Sequence, residues 1–286
     1  MSAPSAQARY HAAVARAAGV PTEVRFFNAA TARELVGQHG HASLIVANNV
    51  LAHVPAVNDF VAGLAIMAGP RGLVSIEVPH LLRLVDGVQF DTIYHDHYAY
   101  WSLLAMERLL SRHRLRVVDV ERLTTHGGSL RVLASAEGRA PTASLRNLRA
   151  EESARGVPAD AFYAGFDVRA RATITGFQAW LRAARRAGRR IGGFGAAAKG
   201  NTFLNAAGIT AQDIIAVADR STAKQGRLLP GSRIPVVRPE ALRTMELDDV
   251  LVLPWNIGAE IAAQLRAGGF GGRIITAVPE IREIDL

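Results

Sequence analysis

ASLIVANNVLAHVPAVNDFVAGLAIMAGPRGLVSIEVP, residues 42–79, decides the fold. Two continuous apolar runs, ASLIVANNV (42–50) and GLVSIEVP (72–79), flank VNDFVAGLAIMAG (57–69), which reads as a helix. Continuous apolar runs suit strands covered on both faces. Strand, helix, strand in that order predicts a parallel pair in a doubly wound sheet.

The pattern extends in both directions. Upstream, EVRFF (23–27) reads as a further strand, TARELVGQHG (31–40) as a helix, and QARYHAAVARAAG (7–19) as a helix ended by Gly19. Downstream, LLAMERLLSRH (103–113) is helical. LRVVDVERL (115–123) and SLRVLASAE (129–137) read as strands joined by the turn TTHGG, so the sheet ends with an antiparallel pair. Residues 138–158 are polar, with Gly and Pro at both ends, and read as a boundary. Residues 159–188 form one long amphipathic helical pattern. A second alternation follows: RRIGGFG, a helix, DIIAVAD (213–219), IPVV (234–237), DDVLVLPW (248–255), a helix, and RIITAVP (273–279). The expected organisation is an α/β domain over 1–138, a linker over 139–158, and a smaller Rossmann-like α/β domain over 159–286.

Bulk properties narrow the function. The 286 residues are 49% apolar and 20% charged, a globular composition. No apolar stretch reaches the ~20 residues of a membrane span, and the N-terminus has no clear apolar core of the secretory kind. A cytoplasmic protein without a membrane partner is expected. There is no cysteine, which excludes disulfides, thiolate zinc sites and cysteine nucleophiles. The formal charge is +8, from 33 basic and 25 acidic residues. The arginines scatter over helical patterns, as in ARRAGRR (184–190), with no basic stripe interleaved with aromatics. That argues against nucleic acid; a phosphorylated small molecule fits the charge.

Open parallel sheets bind ligands beyond the carboxyl ends of their strands. That rule selects Asn48, Asn49, His53, Glu77, Pro79, His80, Gly195–Asn201, Asp219, Trp255 and Asn256. The densest chemistry is DTIYHDHYAY (91–100). On a strand, His95 and His97 would share a face, and such a pair can bind a metal given a third ligand. The same segment supplies what proton transfer needs: an imidazole in His97, a carboxylate in Asp96 and a hydroxyl in Tyr94. A polar turn satisfying buried backbone is the plain alternative. In GGFGAAAKGN (192–201), Gly193, Gly195 and Ala198 fit the dinucleotide fingerprint loosely, with Asp219 ending the next strand and Lys199 adding charge. In THGGSLRV (125–132), His126, Ser129 or Arg131 would touch a ligand if the loop folds over the site.

Six segments together carry a resemblance: ANNVLAHVPAVNDFVAGL (47–64), EVPHLLRLVDGVQFDTIYHDHYAYWSL (77–103), THGGSLRV (125–132), GAAAKGNTFLN (195–205), DRSTAKQGRLLPG (219–231) and LPWNIGAEI (253–261). In that order they resemble the S-adenosylmethionine-dependent C-methyltransferases acting on nucleotide-linked deoxy-ketosugars. The resemblance implies an incomplete class I methyltransferase domain followed by a Rossmann-like domain that helps hold the sugar nucleotide. It implies methylation at sugar C3, where the C4 ketone acidifies the C–H, a base takes the proton and the enolate takes the methyl group. His97 matches the proposed base. Tyr94 and Asp96 match its catalytic neighbours, and His53 a histidine of the same pocket. Asn48, Asn49 and Leu51 would line the remaining wall of the S-adenosylmethionine site. His126, Lys199, Asn201, Asn205 and Trp255 would contact the sugar nucleotide. The family usually has Glu where Asp96 stands. The family's cysteine-rich zinc domain and glycine-rich cofactor loop have no counterpart here, so no zinc is expected. A partner chain supplying that part, an upstream start and a decayed gene are the readings left open. The competing functions are an inactive homologue that only binds nucleotide-sugar, an NAD(P)-dependent oxidoreductase using Gly193, Gly195 and Asp219, and metal-dependent hydrolysis through His95 and His97.

Overall fold

The computed structural model describes residues 6–285. In chain order it contains α1 (Ala6–Ala17), α2 (Ala29–His39), β1 (Leu44–Asn48), α3 (Val57–Ala68), β2 (Leu73–Pro79), α4 (Leu81–Asp86), α5 (Leu103–Arg112), β3 (Arg116–Leu123), β4 (Ser129–Ser135) and α6 (Ala143–Ala154). There follow α7 (Phe166–Arg186), β5 (Ile191–Phe194), α8 (Ala198–Ala206), β6 (Val217–Ala218), β7 (Val236–Val237), β8 (Asp249–Val252), α9 (Gly258–Ala267), β9 (Arg273–Thr276) and β10 (Arg282–Glu283). Packing divides the chain into two units. The first holds residues 1–78, 101–122 and 130–152, and the second 79–100, 123–129 and 153–286.

The first unit is built on a sheet of order β1-β2-β4-β3. β1 and β2 are parallel, with Leu44 opposite Leu73 and Asn48 opposite Glu77, as residues 42–79 predict. Leu51, Leu64, Val74, Ile76, Leu103 and Met106 are fully or almost fully buried. Asn28 starts α2 by accepting a hydrogen bond from the Thr31 amide, 2.8 Å. β1 is the outer strand, and Leu44 and Val46 on it are 56% and 59% exposed.

EVRFF does not form the strand that its composition predicts. Its polar and aromatic groups turn to nearby helices instead. The Thr31 hydroxyl donates to the Phe26 carbonyl, Arg25 pairs with Glu23 and Glu34, and Phe27 packs edge-on against Phe60.

Residues 139–158, read as a linker, carry helix α6. Leu145, Leu148 and Glu152 are buried along one face of it, at helical spacing. The Glu152 carboxylate accepts hydrogen bonds from the Leu103 and Leu104 amides at 2.8 and 3.0 Å, at the start of α5. A carboxylate there meets both orphan N–H groups and the positive end of the helix dipole. Glu152→Ala leaves those amides buried without acceptors. Bonds to a charged group contribute roughly 1.5–3 kcal/mol each net. A stability loss of about 3 kcal/mol is expected in urea unfolding, with Glu152→Gln losing less.

The second unit is a sheet of order β10-β9-β8-β5-β6-β7. β5 pairs in parallel with both β6 and β8, β9 is parallel to β8, and only β10 runs antiparallel. From β5 the chain winds out through β6 and β7, then crosses back to β8. The direction of winding reverses between β5 and β8, and the crevice beyond their carboxyl ends is where such sheets bind ligands. One core cluster gathers Phe177, Leu181, Phe203, Leu204, Val217 and Leu251. A second, around Phe194, Val250, Val252 and Ile261, joins α9 to the strands. The long helix starts at Phe166 rather than 159, because Asp160–Phe162 form a separate single turn.

Candidate functional site

At the reversal point of the second unit, Lys199 follows β5 and Trp255 and Asn256 follow β8. The Lys199 ammonium donates to Asn256 Oδ1 at 2.7 Å and lies 4.6 Å from the centre of the Trp255 ring. Trp255 Nε1 donates to Asp91 Oδ2, also at 2.7 Å. Asp91 is 0% exposed, and its Oδ1 is buried without a hydrogen-bond partner. Burial raises its pKa to about 6, against the opposing pull of the Trp255 bond and the Lys199 charge. Burial also lowers the Lys199 pKa, and Asp91 partly offsets it. The 124–128 turn closes over the indole. Gln89 Nε2 donates to the Gly127 carbonyl at 2.8 Å. A Cβ on Gly127, whose φ is 90°, would lie 2.3 Å from Trp255 Cη2, so only glycine fits there. His126 sits at the exposed tip with a φ of 56°.

Residues 91–100 form turns, not a strand. Phe90–Thr92 make a single helical turn, and the His97 amide donates to the Tyr94 carbonyl at 3.0 Å. His95 and His97 therefore do not share a strand face. His95 Nε2 lies 3.0 Å from Asp96 Oδ1, with the two side chains 91% and 62% exposed. His97 is half-buried, and its Nδ1 lies 2.8 Å from the Thr92 carbonyl oxygen. A carbonyl can only accept, so Nδ1 carries the hydrogen and the neutral ring keeps its lone pair on Nε2. The Tyr94 ring lies against His97, with centroids 4.3 Å apart and planes tilted by 30°, and Tyr100 meets it edge-on at 5.8 Å. Burial, then neighbouring Asp96 and Asp91, raises the Tyr94 pKa. Burial and Tyr94 raise that of Tyr100. Both phenols stay protonated at neutral pH. Among the described residues no three His, Asp or Glu side chains are grouped to hold a metal ion.

Tyr94 and Asp96 line a cavity of about 520 Å³ in this unit, with Asn201 and Lys224. Arg227 and Leu228 complete the wall. The Asn201 Oδ1 is buried and unpartnered. Asn205 is engaged within the protein, donating to the carbonyls of Asn201 and Pro230 at 2.9 and 3.0 Å. A second cavity, about 540 Å³, lies by Glu240, Arg243 and Glu246 and holds none of the predicted residues.

The glycines of the 192–201 turn serve packing. A Cβ on Gly195 would meet Pro254 at 2.4 Å, and one on Gly193 would meet Val217 at 2.9 Å. Asp219, the acid a dinucleotide site would turn to ribose, accepts from the Ala196 and Ser221 amides at 2.7 and 2.8 Å. Its oxygens tie one loop to the next, which removes the geometric basis for the NAD(P) reading.

Of the remaining predicted residues, Asn48, Asn49, Leu51, His53 and Arg131 belong to the first unit and Ser129 to the second. Asn48 is exposed at the end of β1, and Asn49 follows in left-handed backbone, with a φ of 54° and its amide on the Glu77 carbonyl. His53 is exposed at the end of a single turn. Leu51 is 0% exposed. Arg131 pairs with Glu121 at 2.7 Å and Glu77 at 3.4 Å. Ser129 is buried and donates to the Thr125 carbonyl. Neither Ser129 nor Arg131 projects free over a site. Asp91, Gln89, Lys224 and Arg227 were not singled out by the sequence. All four lie inside segments that carry the family resemblance, Gln89 and Asp91 in 77–103 and Lys224 and Arg227 in 219–231.

Comparison with known proteins agrees with this chemistry. Residues 124–279 match the model of the C-methyltransferase C-terminal domain. The chain is 35% identical to C-methyltransferase NovU of Streptomyces niveus, across 97% of this chain and 67% of that protein. Among solved structures, TnmH is 24% identical over 34% of this chain and 31% of its own, with a TM-score of 0.28. An O-methyltransferase family protein from Burkholderia thailandensis is 14% identical over 46% of this chain and 41% of its own, with a TM-score of 0.33. At those scores the two structures add nothing to the assignment, which rests on the domain match and the NovU identity. The chain belongs to the C-methyltransferase family.

Proposed function

We propose that this protein transfers a methyl group from S-adenosylmethionine to C3 of a deoxythymidine-diphosphate-linked 4-keto-deoxysugar, by way of an enolate. One observation carries the reading. His97 has its Nδ1–H on the Thr92 carbonyl, which leaves Nε2 as the basic nitrogen of the neutral ring, and the Tyr94 ring against it lines a cavity.

His97 Nε2 takes the C3 proton, and the electron pair left behind moves toward the C4 oxygen. An imidazole is a base suited to a proton acidified by an adjacent ketone. The Thr92 carbonyl holds the imidazolium that forms. The protonated Tyr94 hydroxyl is a donor for the enolate oxygen. Asp96 shares the cavity wall and orients the 94–97 turn. His53 is proposed to take part in the same reaction, as the family resemblance implies. His126, Lys199, Asn201, Asn205 and Trp255 are proposed to contact the nucleotide end. The carboxyl end of β1 offers the Asn48 carboxamide and the left-handed Asn49 turn to polar groups of the methyl donor, so those two fit it; Leu51 is in the core and offers only backbone. When bound, S-adenosylmethionine supplies an electrophilic methyl group for C3.

The half-reaction needs no methyl donor, so it tests the base directly. In D2O, protein incubated with the 4-keto-sugar nucleotide alone is expected to exchange the C3 hydrogen for deuterium, raising the substrate mass by one. Adding S-adenosylmethionine should give a product methylated on carbon. Absence of both exchange and methylation over a range of nucleotide-linked ketosugars would remove this substrate class.

A further inference from the structure

The hydrogen on the His97 ring is set by one backbone atom, the Thr92 carbonyl oxygen 2.8 Å from Nδ1. Thr92 ends the single helical turn Phe90–Thr92. A lone turn is costly to form by itself. This one is held at each of its residues. The Phe90 ring meets the Phe203 ring of α8, with centroids 6.0 Å apart. The Thr92 hydroxyl donates to the Gln89 carbonyl at 2.7 Å. Between them, Asp91 Oδ2 accepts from Trp255 Nε1 just beyond β8. The indole is itself confined. The Lys199 ammonium lies over its ring, and the Gly127 turn leaves no room even for a Cβ at its Cη2 edge.

Asp91 is a poor filler for this space. Its side chain has no exposed surface, and Oδ1 is left without a hydrogen-bond partner. The hollow beside it, about 10 Å³, is lined by Phe203, Leu251, Val252 and Leu253, which give a water no side-chain partner. Leucine would pack there with no oxygen unmet. A hydrocarbon cannot bond the indole, so that bond is what the acid contributes.

We infer that Asp91 is a positioning residue for the methyl transfer: its bond to Trp255 fixes the 90–92 turn, and the Thr92 carbonyl then keeps the His97 hydrogen on Nδ1 and the basic nitrogen at Nε2. This rests on the proposed function for His97 as the base, and adds the residue that decides which nitrogen is basic. Asp91 touches neither the reacting carbon nor the proton that leaves it. With the bond to Trp255 cut, the turn loses its hold on the end of β8. The ring is then free to carry its hydrogen on Nε2, where it has no lone pair for the C3 proton.

Two measurements on the full chain test it. With the nine histidines labelled with heavy nitrogen, the His97 ring resonances, assigned by their loss in His97→Gln, report the tautomer at a pH where the ring is neutral. Deuterium exchange at C3, at saturating ketosugar nucleotide, reports the base. Wild type should show the Nδ1–H form alone. Asp91→Leu, and Trp255→Phe, which keeps a ring but removes the donor, should each show both forms and exchange about tenfold to a hundredfold more slowly. Their methyl-transfer loss should fall on kcat. Asp91→Asn keeps an acceptor for the indole and should recover the single tautomer and most of the exchange rate, with its remaining cost on KM. The two disruptive variants cut one bond from opposite ends, so if thermal unfolding shows one of them misfolded, the other decides. The Nδ1–H form alone in a folded Asp91→Leu or Trp255→Phe would overturn the inference. So would exchange at the wild-type rate in both, or Asp91→Asn as impaired as Asp91→Leu. Tautomers that respond as expected in a protein that exchanges no ketosugar would support the tether and overturn the substrate class alone.

Discussion

His97→Ala is expected to bind the sugar nucleotide normally and to transfer methyl groups slower by a factor of about 10²–10⁴, the usual contribution of a positioned base. The expectation follows from the ring's hydrogen bond to the Thr92 carbonyl. With Nδ1–H held by Thr92, only Nε2 can receive a proton, and no other base on the 91–100 segment is so placed: His95 and Asp96 are largely exposed and engaged with each other. His97→Gln keeps a polar side chain of similar reach but has no comparable basicity, so it should fail as badly as alanine. The loss should appear in kcat rather than KM, and deuterium exchange at C3 should fall with it. Tyr94→Phe keeps the ring contact and loses only the hydroxyl, so a smaller loss is expected. Turnover and exchange at wild-type levels in His97→Ala would end the assignment of the base.

The second large effect concerns Asp91 and pH. Its folded pKa of about 6 lies above the ordinary value of 3.8. Between those values the folded chain holds a proton that the unfolded chain has lost, so stability falls as pH rises through the window. Below about pH 3 both states are protonated and nothing is lost. Above about pH 7 the buried carboxylate is charged and destabilises the fold by about 3 kcal/mol relative to acid, at ~1.4 kcal/mol per pKa unit. Asp91→Asn keeps an acceptor for Trp255 Nε1 and cannot ionise. The variant's stability relative to wild type should therefore climb by about 3 kcal/mol from pH 3 to pH 7, whatever constant offset its amide introduces. Urea unfolding at four or five pH values measures the difference. A flat difference curve would show that Asp91 does not titrate in the fold. The charge that destabilises also faces Lys199 across the Trp255 ring, so the variant should raise KM for a substrate that needs that ammonium in place.

Local pattern carried most of the fold. Residues 42–79 form the expected strand, helix and parallel strand, but only β2 is buried on both faces; β1 is apolar yet outermost, with Leu44 and Val46 exposed. EVRFF misled because two phenylalanines and a valine look like a strand wherever they occur; pairing depends on a neighbour that the window does not show. The 139–158 segment misled the other way. Its charges suggested a solvated tether, yet Leu145, Leu148 and Glu152 share one helical face. The strand-end rule located Lys199, Trp255 and Asn256, which the structure joins. Asp91 stood in plain view at the start of DTIYHDHYAY, but its role went unread because its partner Trp255 is 164 residues away and no spacing records such a bond. The glycines at 193 and 195 imitate a nucleotide loop, since close packing and phosphate cradling both require a missing side chain.

The chain passes between the two units five times, at residues 78/79, 100/101, 122/123, 129/130 and 152/153. No single proteolytic cut can liberate an intact second half. A fragment beginning at residue 153 would keep the indole of Trp255 but forfeit the carboxylate it donates to, the glycine turn pressed on its face, and the imidazole itself. The groups proposed to recognise and to deprotonate the acceptor thus come from separate stretches of gene, and a cut at residue 153 would part them.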